Sequence, residues 1–88
     1  MNYRRLERSV RGFSNHRRIQ IMELLSRMPE LSVDEIASTL KTNFKTAAEH
    51  IRRLAITGLV IKRNEGHAVR HKLTSRATQV LKFLRTLE

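Results

Sequence analysis

Between Pro29 and Leu73 the hydrophobic period changes faster than any long element allows, and this constrains the fold more than any other feature of the chain. Ser32-Val33-Asp34-Glu35 is a capping-box pattern: the serine oxygen takes a backbone N–H and the glutamate reaches back to the cap. Val33, Ile36, Ala37 and Leu40 then form the buried stripe of a helix only two turns long. Lys41-Thr42-Asn43 breaks the period, and Thr42 or Asn43 can cap a second helix from Phe44 to about Thr57. Its inward side is Ala47, Ile51 and Leu54, with Ala55 at the edge, and Gly58 is placed to close it in a left-handed conformation. Strand character follows at once, in 59–63 and 68–73. Asn64-Glu65-Gly66-His67 suits the turn between them, with Gly66 supplying positive φ.

Helical segments flank this middle. Tyr3, Leu6, Val10 and Phe13 fall at helical spacing, although Gly12 counts against one unbroken helix. Ser14 or Asn15 can cap a new helix whose apolar face is Ile21, Leu24, Leu25 and Met28, widened by Ile19 and Met22 and stopped by Pro29. Thr74 or Ser75 caps a last helix carrying Ala77, Val80, Leu81, Leu84 and Leu87. No repeat, linker or low-complexity tract interrupts the order, so 1–88 reads as one domain. Its parts are an N-terminal helical extension at 1–13, the paired helices at 33–57, the hairpin at 59–73 and the C-terminal helix at 75–87.

Charge is uneven along this frame. The chain holds 18 Lys and Arg against 8 Asp and Glu, a formal net charge of +10. Residues 1–18 carry six arginines and one glutamate, and residues 41–72 carry eight bases and two glutamates, whereas 19–40 hold one arginine and four acids. A disordered polycation would lack both this partition and the apolar periodicity. The pattern is that of a folded module with one positive face, and the expected partner is a polyanion, nucleic acid ahead of an anionic membrane surface.

Two short helices joined by a tight turn, the second running straight into a hairpin, define a winged helix-turn-helix. The expected class is mainly α with a small β-hairpin (α+β): a three-helix core plus wing, with flanking N- and C-terminal helices. The stretch from Leu40 to Leu54, followed by Thr57-Gly58-Leu59-Val60, resembles the ArsR-type winged-helix regulators, with MarR-type regulators as near relatives. The resemblance covers about residues 15–84. It implies a dimeric regulator that seats one polar helix of each subunit in a DNA major groove, with His50 at the position of the family's recognition-helix histidine. Departures are visible too. Ala48 stands where the family often has serine, and Lys41 where a glycine is common in the turn. If that turn requires positive φ, a lysine there costs roughly 1 kcal/mol or more. Ser32 and Asp34 stand where metal-sensing members place a Cys-x-Cys pair, which excludes thiolate metal sensing at that site.

The recognition-helix candidates are Asn43, Phe44, Lys45, Thr46, Ala48, Glu49, Arg52 and Arg53. Lysine and arginine pair with guanine O6/N7 and glutamate accepts from cytosine N4, while Asn43 sits at the helix start near a phosphate. Lys62, Arg63, Arg70 and Lys72, with His67 at the tip, are the wing candidates for phosphate contact; charge on a hairpin also protects its edges. Tyr3, Leu6, Val10 and Phe13, with Val80, Phe83, Leu84 and Leu87, exceed what a small core needs and are expected to form a homodimer interface. Arg4, Arg5, Arg8 and Arg11 then contact flanking phosphates or solvate its rim.

Other classes find little support. There is no cysteine, no Gly-rich phosphate loop and no paired-carboxylate or Glu-x-x-His pattern, so neither an enzyme nor a cofactor is expected. His67 and His71 lie about 13 Å apart along a strand, too far to share one ion. A metal held by His16, His50 or a second subunit is the remaining metal reading, and no metal is expected. No apolar run suits a membrane span or signal peptide, so a cytoplasmic protein is expected, nucleoid-associated if prokaryotic. The expected function is sequence-specific binding of double-stranded DNA, as a repressor that occludes a promoter. A non-specific architectural DNA- or RNA-binding protein and a protein-interaction winged helix are the alternatives.

Overall fold

The structure is a computed structural model that describes all residues 1–88. Its elements are α1 (Tyr3–Phe13), α2 (His16–Arg27), α3 (Val33–Leu40), α4 (Phe44–Ile56), β1 (Val60–Glu65), β2 (Ala68–Leu73) and α5 (Ser75–Arg85). This is the expected winged helix-turn-helix with flanking helices.

Every helix begins on a side-chain cap. Asn2, Asn15, Ser32, Asn43 and Thr74 each accept one or two backbone N–H groups of the following turn, and Ser32 with Glu35 completes the capping box. Each cap is worth about 1 kcal/mol, which matters for helices as short as eight residues. Asn15 rather than Ser14 starts α2, and Asn43 rather than Thr42 starts α4.

The two helices of the motif end in the same way. Leu59 N–H bonds the Leu54 carbonyl and Gly58 N–H the Ala55 carbonyl, a complete Schellman closure with Gly58 at φ 75°. At the end of α3, Thr42 N–H bonds the Ala37 carbonyl and Lys41 N–H the Ser38 carbonyl, with Lys41 at φ 55° and ψ 46°. Lys41 therefore occupies the left-handed position that favours glycine, and the turn carries that strain.

α2 is the centre of the core. Its Ile21, Met22, Leu24 and Leu25 pack with Ile36 of α3, Ile51 and Leu54 of α4, Leu59 and Val60 at the wing's root, and Ala77 and Leu81 of α5. Arginines stitch the ends of neighbouring helices onto this core: Arg17 donates to the Leu40 carbonyl at the end of α3, and Arg18 to the Arg11 and Gly12 carbonyls at the end of α1. α1 runs unbroken through Gly12. A Cβ there would stand 2.4–2.7 Å from the Thr57 side chain, so the glycine lets α1 lie against the end of α4.

The hairpin is longer and its turn tighter than the sequence suggests. Antiparallel pairing runs from Val60↔Leu73 to Glu65↔Ala68, so Asn64 and Glu65 belong to β1 and only Gly66-His67 turns. Gly66 has the expected positive φ, 62°. α5 ends at Arg85, two residues short of Leu87.

Candidate nucleic-acid interface

The outward side of α4 follows from its inward one. Ala47, Ile51 and Leu54 are buried, which turns Lys45, Glu49, Arg52, Arg53 and Ile56 to solvent. Asn43 is fixed at the helix start, its Oδ1 accepting the Thr46 N–H at 2.7 Å. Phe44 is exposed beside it, while Thr46 and Ala48 are half-buried on the flanks.

Side-chain pairing divides the charges of this face in a way the sequence does not display. Glu49 takes a bidentate pair from Arg52, at 3.0 and 2.8 Å, and a further bond from Arg53 at 3.1 Å. The Arg52 hydrogen bond foremost, with Arg53 adding to it, lowers the Glu49 carboxyl to about 2, so it stays ionised. Its acceptor oxygens are thus engaged within the helix, where the sequence reading has them free for a cytosine. Lys45 forms no ion pair and projects unencumbered from the first turn.

The wing shows the same division. Arg63 and Arg70 face one another across the strands, a like-charge pairing that would be unfavourable alone. It is offset by a chain of acids: Arg63 bonds Glu30 and Glu65, and Arg70 bonds Glu65 at 3.2 Å, Glu35 at 3.4 Å and the Glu30 carbonyl at 3.0 Å. The Arg63 hydrogen bond holds Glu30 below the usual carboxylate range, and bonds from Ser32 do the same for Glu35. These two arginines tie the wing to the loop before α3. Lys62 and Lys72 are exposed and without acidic partners, and His67 is exposed at the tip.

The histidines separate by environment. His71 is 1% exposed, and both its backbone N–H and its ring Nδ1 meet the Leu31 carbonyl at 2.9 Å. A carbonyl only accepts, so the ring carries its proton on Nδ1. His71 is a core residue, a role the sequence reading missed although alternation along β2 with Leu73 signals it. His50 lies half-buried on the flank of α4, its Nδ1 without a partner. Burial first, then the Arg18 charge, holds it below the ordinary imidazole value. No group of three or more His, Asp or Glu side chains is placed to hold a metal ion.

The expected interface residues divide as well. Tyr3, Leu6 and Val10 of α1 and Phe83 and Leu87 near the C-terminus are exposed, Tyr3 by 78% and Phe83 by 58%. Phe13 and Val80 pack against the chain's own core, and Leu84 is half-buried. No helix is long and apolar enough to cross a membrane.

Known proteins share this arrangement. The family model described as bacterial regulatory protein, arsR family, matches residues 15–62, from the α2 cap through the first half of β1. The homodimeric winged helix-turn-helix DNA-binding domain of a possible ArsR-family transcriptional regulator from Mycobacterium bovis superposes with a TM-score of 0.88. It is 26% identical, over 97% of this chain and 79% of that one. HlyU from Vibrio cholerae gives 0.84 at 29% identity, over 98% and 94% of the two chains. An ArsR-like transcriptional regulator from Rhodococcus gives 0.78 at 26% identity, over 97% and 77%. No curated protein sequence matches.

Proposed function

The chain belongs to the ArsR family of bacterial regulatory proteins, and from that premise we propose that it binds double-stranded DNA in a sequence-dependent way as a homodimeric transcriptional repressor. The observation that carries the reading is the placement of unpaired cations. Lys45 on the outer face of α4 and Lys62 and Lys72 on the wing are free of carboxylates, on the two elements that a winged helix presents to a duplex. In this reading α4 enters the major groove. Its first turn, with Lys45, Thr46 and the Asn43 cap, meets base edges and the nearest phosphate, and Lys62, Lys72 and His67 meet the backbone.

The homodimer is supported by the exposed apolar residues of α1 and the C-terminal segment, and by the homodimeric state of the M. bovis relative. A two-fold axis through that surface sets two α4 helices about 34 Å apart, one turn of DNA, and calls for a palindromic site. Repression by occlusion needs no element beyond the two that face DNA.

Titration of duplex DNA at several salt concentrations tests the assignment of roles. Lys62→Gln with Lys72→Gln is expected to weaken binding uniformly across sequences and to flatten the salt dependence by about two phosphate contacts per protomer. Lys45→Gln is expected to weaken one sequence more than others. Equal, sequence-independent losses from all three substitutions would remove the base-reading role from α4.

A further inference from the structure

Away from the first turn of α4 lies a second basic feature, which neither base reading by that turn nor contact by the wing uses. α1, the first turn of α2 and the C-terminal half of α4 enclose a groove of about 370 Å³ whose wall holds five arginines: Arg8, Arg11, Arg18, Arg52 and Arg53. Gly12 and Thr57 form its floor, where the missing Cβ lets the two helices close together. The five guanidinium groups are only partly compensated. Glu7 reaches Arg11 at 3.7 Å, and Glu49 serves Arg52 and Arg53 together, whereas Arg8 and Arg18 have no carboxylate. Arg18 is held in place by its two bonds to the end of α1, yet its Nε is buried with no hydrogen-bond partner.

The chemistry of the wall limits what can occupy the groove. Every cation is an arginine, whose planar fork matches the paired oxygens of a phosphate better than a lysine does. Ile56 is the one apolar lining residue, and no aromatic ring is present to stack a base. We propose that this groove is a binding site for a small phosphate-type anion of at least two negative charges, about the size of a diphosphate, held between Arg8, Arg11 and Arg18 on one side and Arg52 and Arg53 on the other. Occupancy engages the arginines at the end of α4 and so opposes their use on DNA. The site itself does not depend on the DNA-binding reading, since its lining is complete in the free protein.

Two sources supply such oxygens, a free phosphorylated small molecule and the backbone of a duplex, and the proposal is for the first. Inorganic pyrophosphate is titrated by calorimetry into the full chain without DNA, at ionic strength held constant with chloride. One saturable site per protomer, with a dissociation constant below about 1 mM, is expected. Arg8→Gln with Arg11→Gln, both exposed and outside the core, is expected to weaken it about a hundredfold, each guanidinium being worth roughly tenfold. Lys62→Gln on the wing is expected to leave it unchanged. Absence of saturation, or an equal loss from Lys62→Gln, would overturn the site in favour of diffuse charge. Loss of duplex affinity in the Arg8 and Arg11 variant with no pyrophosphate binding by the parent chain would overturn it in favour of backbone contacts.

Discussion

Lys41 provides a quantitative test of how the turn between α3 and α4 is built. Its φ of 55° and ψ of 46° put an L-residue with a Cβ in the left-handed region, at a cost of about 1–2 kcal/mol. Lys41→Gly removes that cost. It also gives the unfolded chain more freedom, which takes back about 0.4–1 kcal/mol. The difference leaves a net gain between about 0 and 1.6 kcal/mol, centred near 0.8, and for a chain of this size the central value raises Tm by roughly 3–6 °C. Lys41→Ala separates backbone from charge, because it deletes the ammonium and keeps the Cβ. The side chain is exposed and forms no ion pair, so alanine is expected to shift stability by no more than about 0.5 kcal/mol. Thermal and urea unfolding of the parent and both variants, followed by circular dichroism, measure the differences. Equal stabilisation by glycine and alanine would show that charge repulsion, not the backbone, is relieved. A glycine variant less stable than the parent would refute the strained closure altogether.

Other consequences follow from the paired charges and the buried imidazoles. His71 and His50 are both held below their ordinary value, by burial foremost, so from their lowered native-state values up to about 6.5 the unfolded chain binds protons that the native chain does not. Stability is then fully present above pH 6.5 and declines as pH falls below it, by at most about 1.4 kcal/mol per pH unit for each histidine. Urea midpoints from pH 7.5 to 5.5 check this, and a midpoint rising on acidification would contradict it. Glu49→Gln releases Arg52 and Arg53 from their shared partner, so binding to non-specific duplex is expected to strengthen and its salt dependence to steepen by about one contact per protomer. Unchanged affinity would mean those arginines do not reach phosphate. Leu6→Asp with Phe83→Asp places charge on the exposed apolar surface and is expected to convert a dimer to folded monomers in sedimentation. A dimer that persists would move the interface elsewhere.

What the sequence reveals here is what is decided locally. The Ser32–Glu35 box, the caps at Asn43 and Thr74 and the closure at Gly58 depend on residues within a turn of each other, and the structure has all of them. The paired helices and the hairpin follow from those stops. Features set by distant partners are not visible in the same way. Gly12 reads as a helix breaker until Thr57 lies against it, 45 residues along the chain. Alternation with Leu73 marks His71 as inward-facing, but nothing in the sequence shows that the Leu31 carbonyl, 40 residues back, accepts from its ring. Arg63 and Arg70 have Glu65 close by in sequence, but nothing announces that Glu30 and Glu35 will also meet them. The candidate interface was therefore legible as two elements, α4 and the wing, but not as the smaller set of cations that remain unpaired on them.

In the proposed mode of binding, α4 and the wing of two protomers read one duplex as a two-fold pair. Selection of bound duplexes from a random pool, at about 150 mM salt so that non-specific phosphate binding is weakened, tests it most directly. Enrichment of a palindrome with half-sites about 10 base pairs apart is expected, and loss of that enrichment in Lys45→Gln. Recovery of an unenriched pool by the folded protein would contradict it.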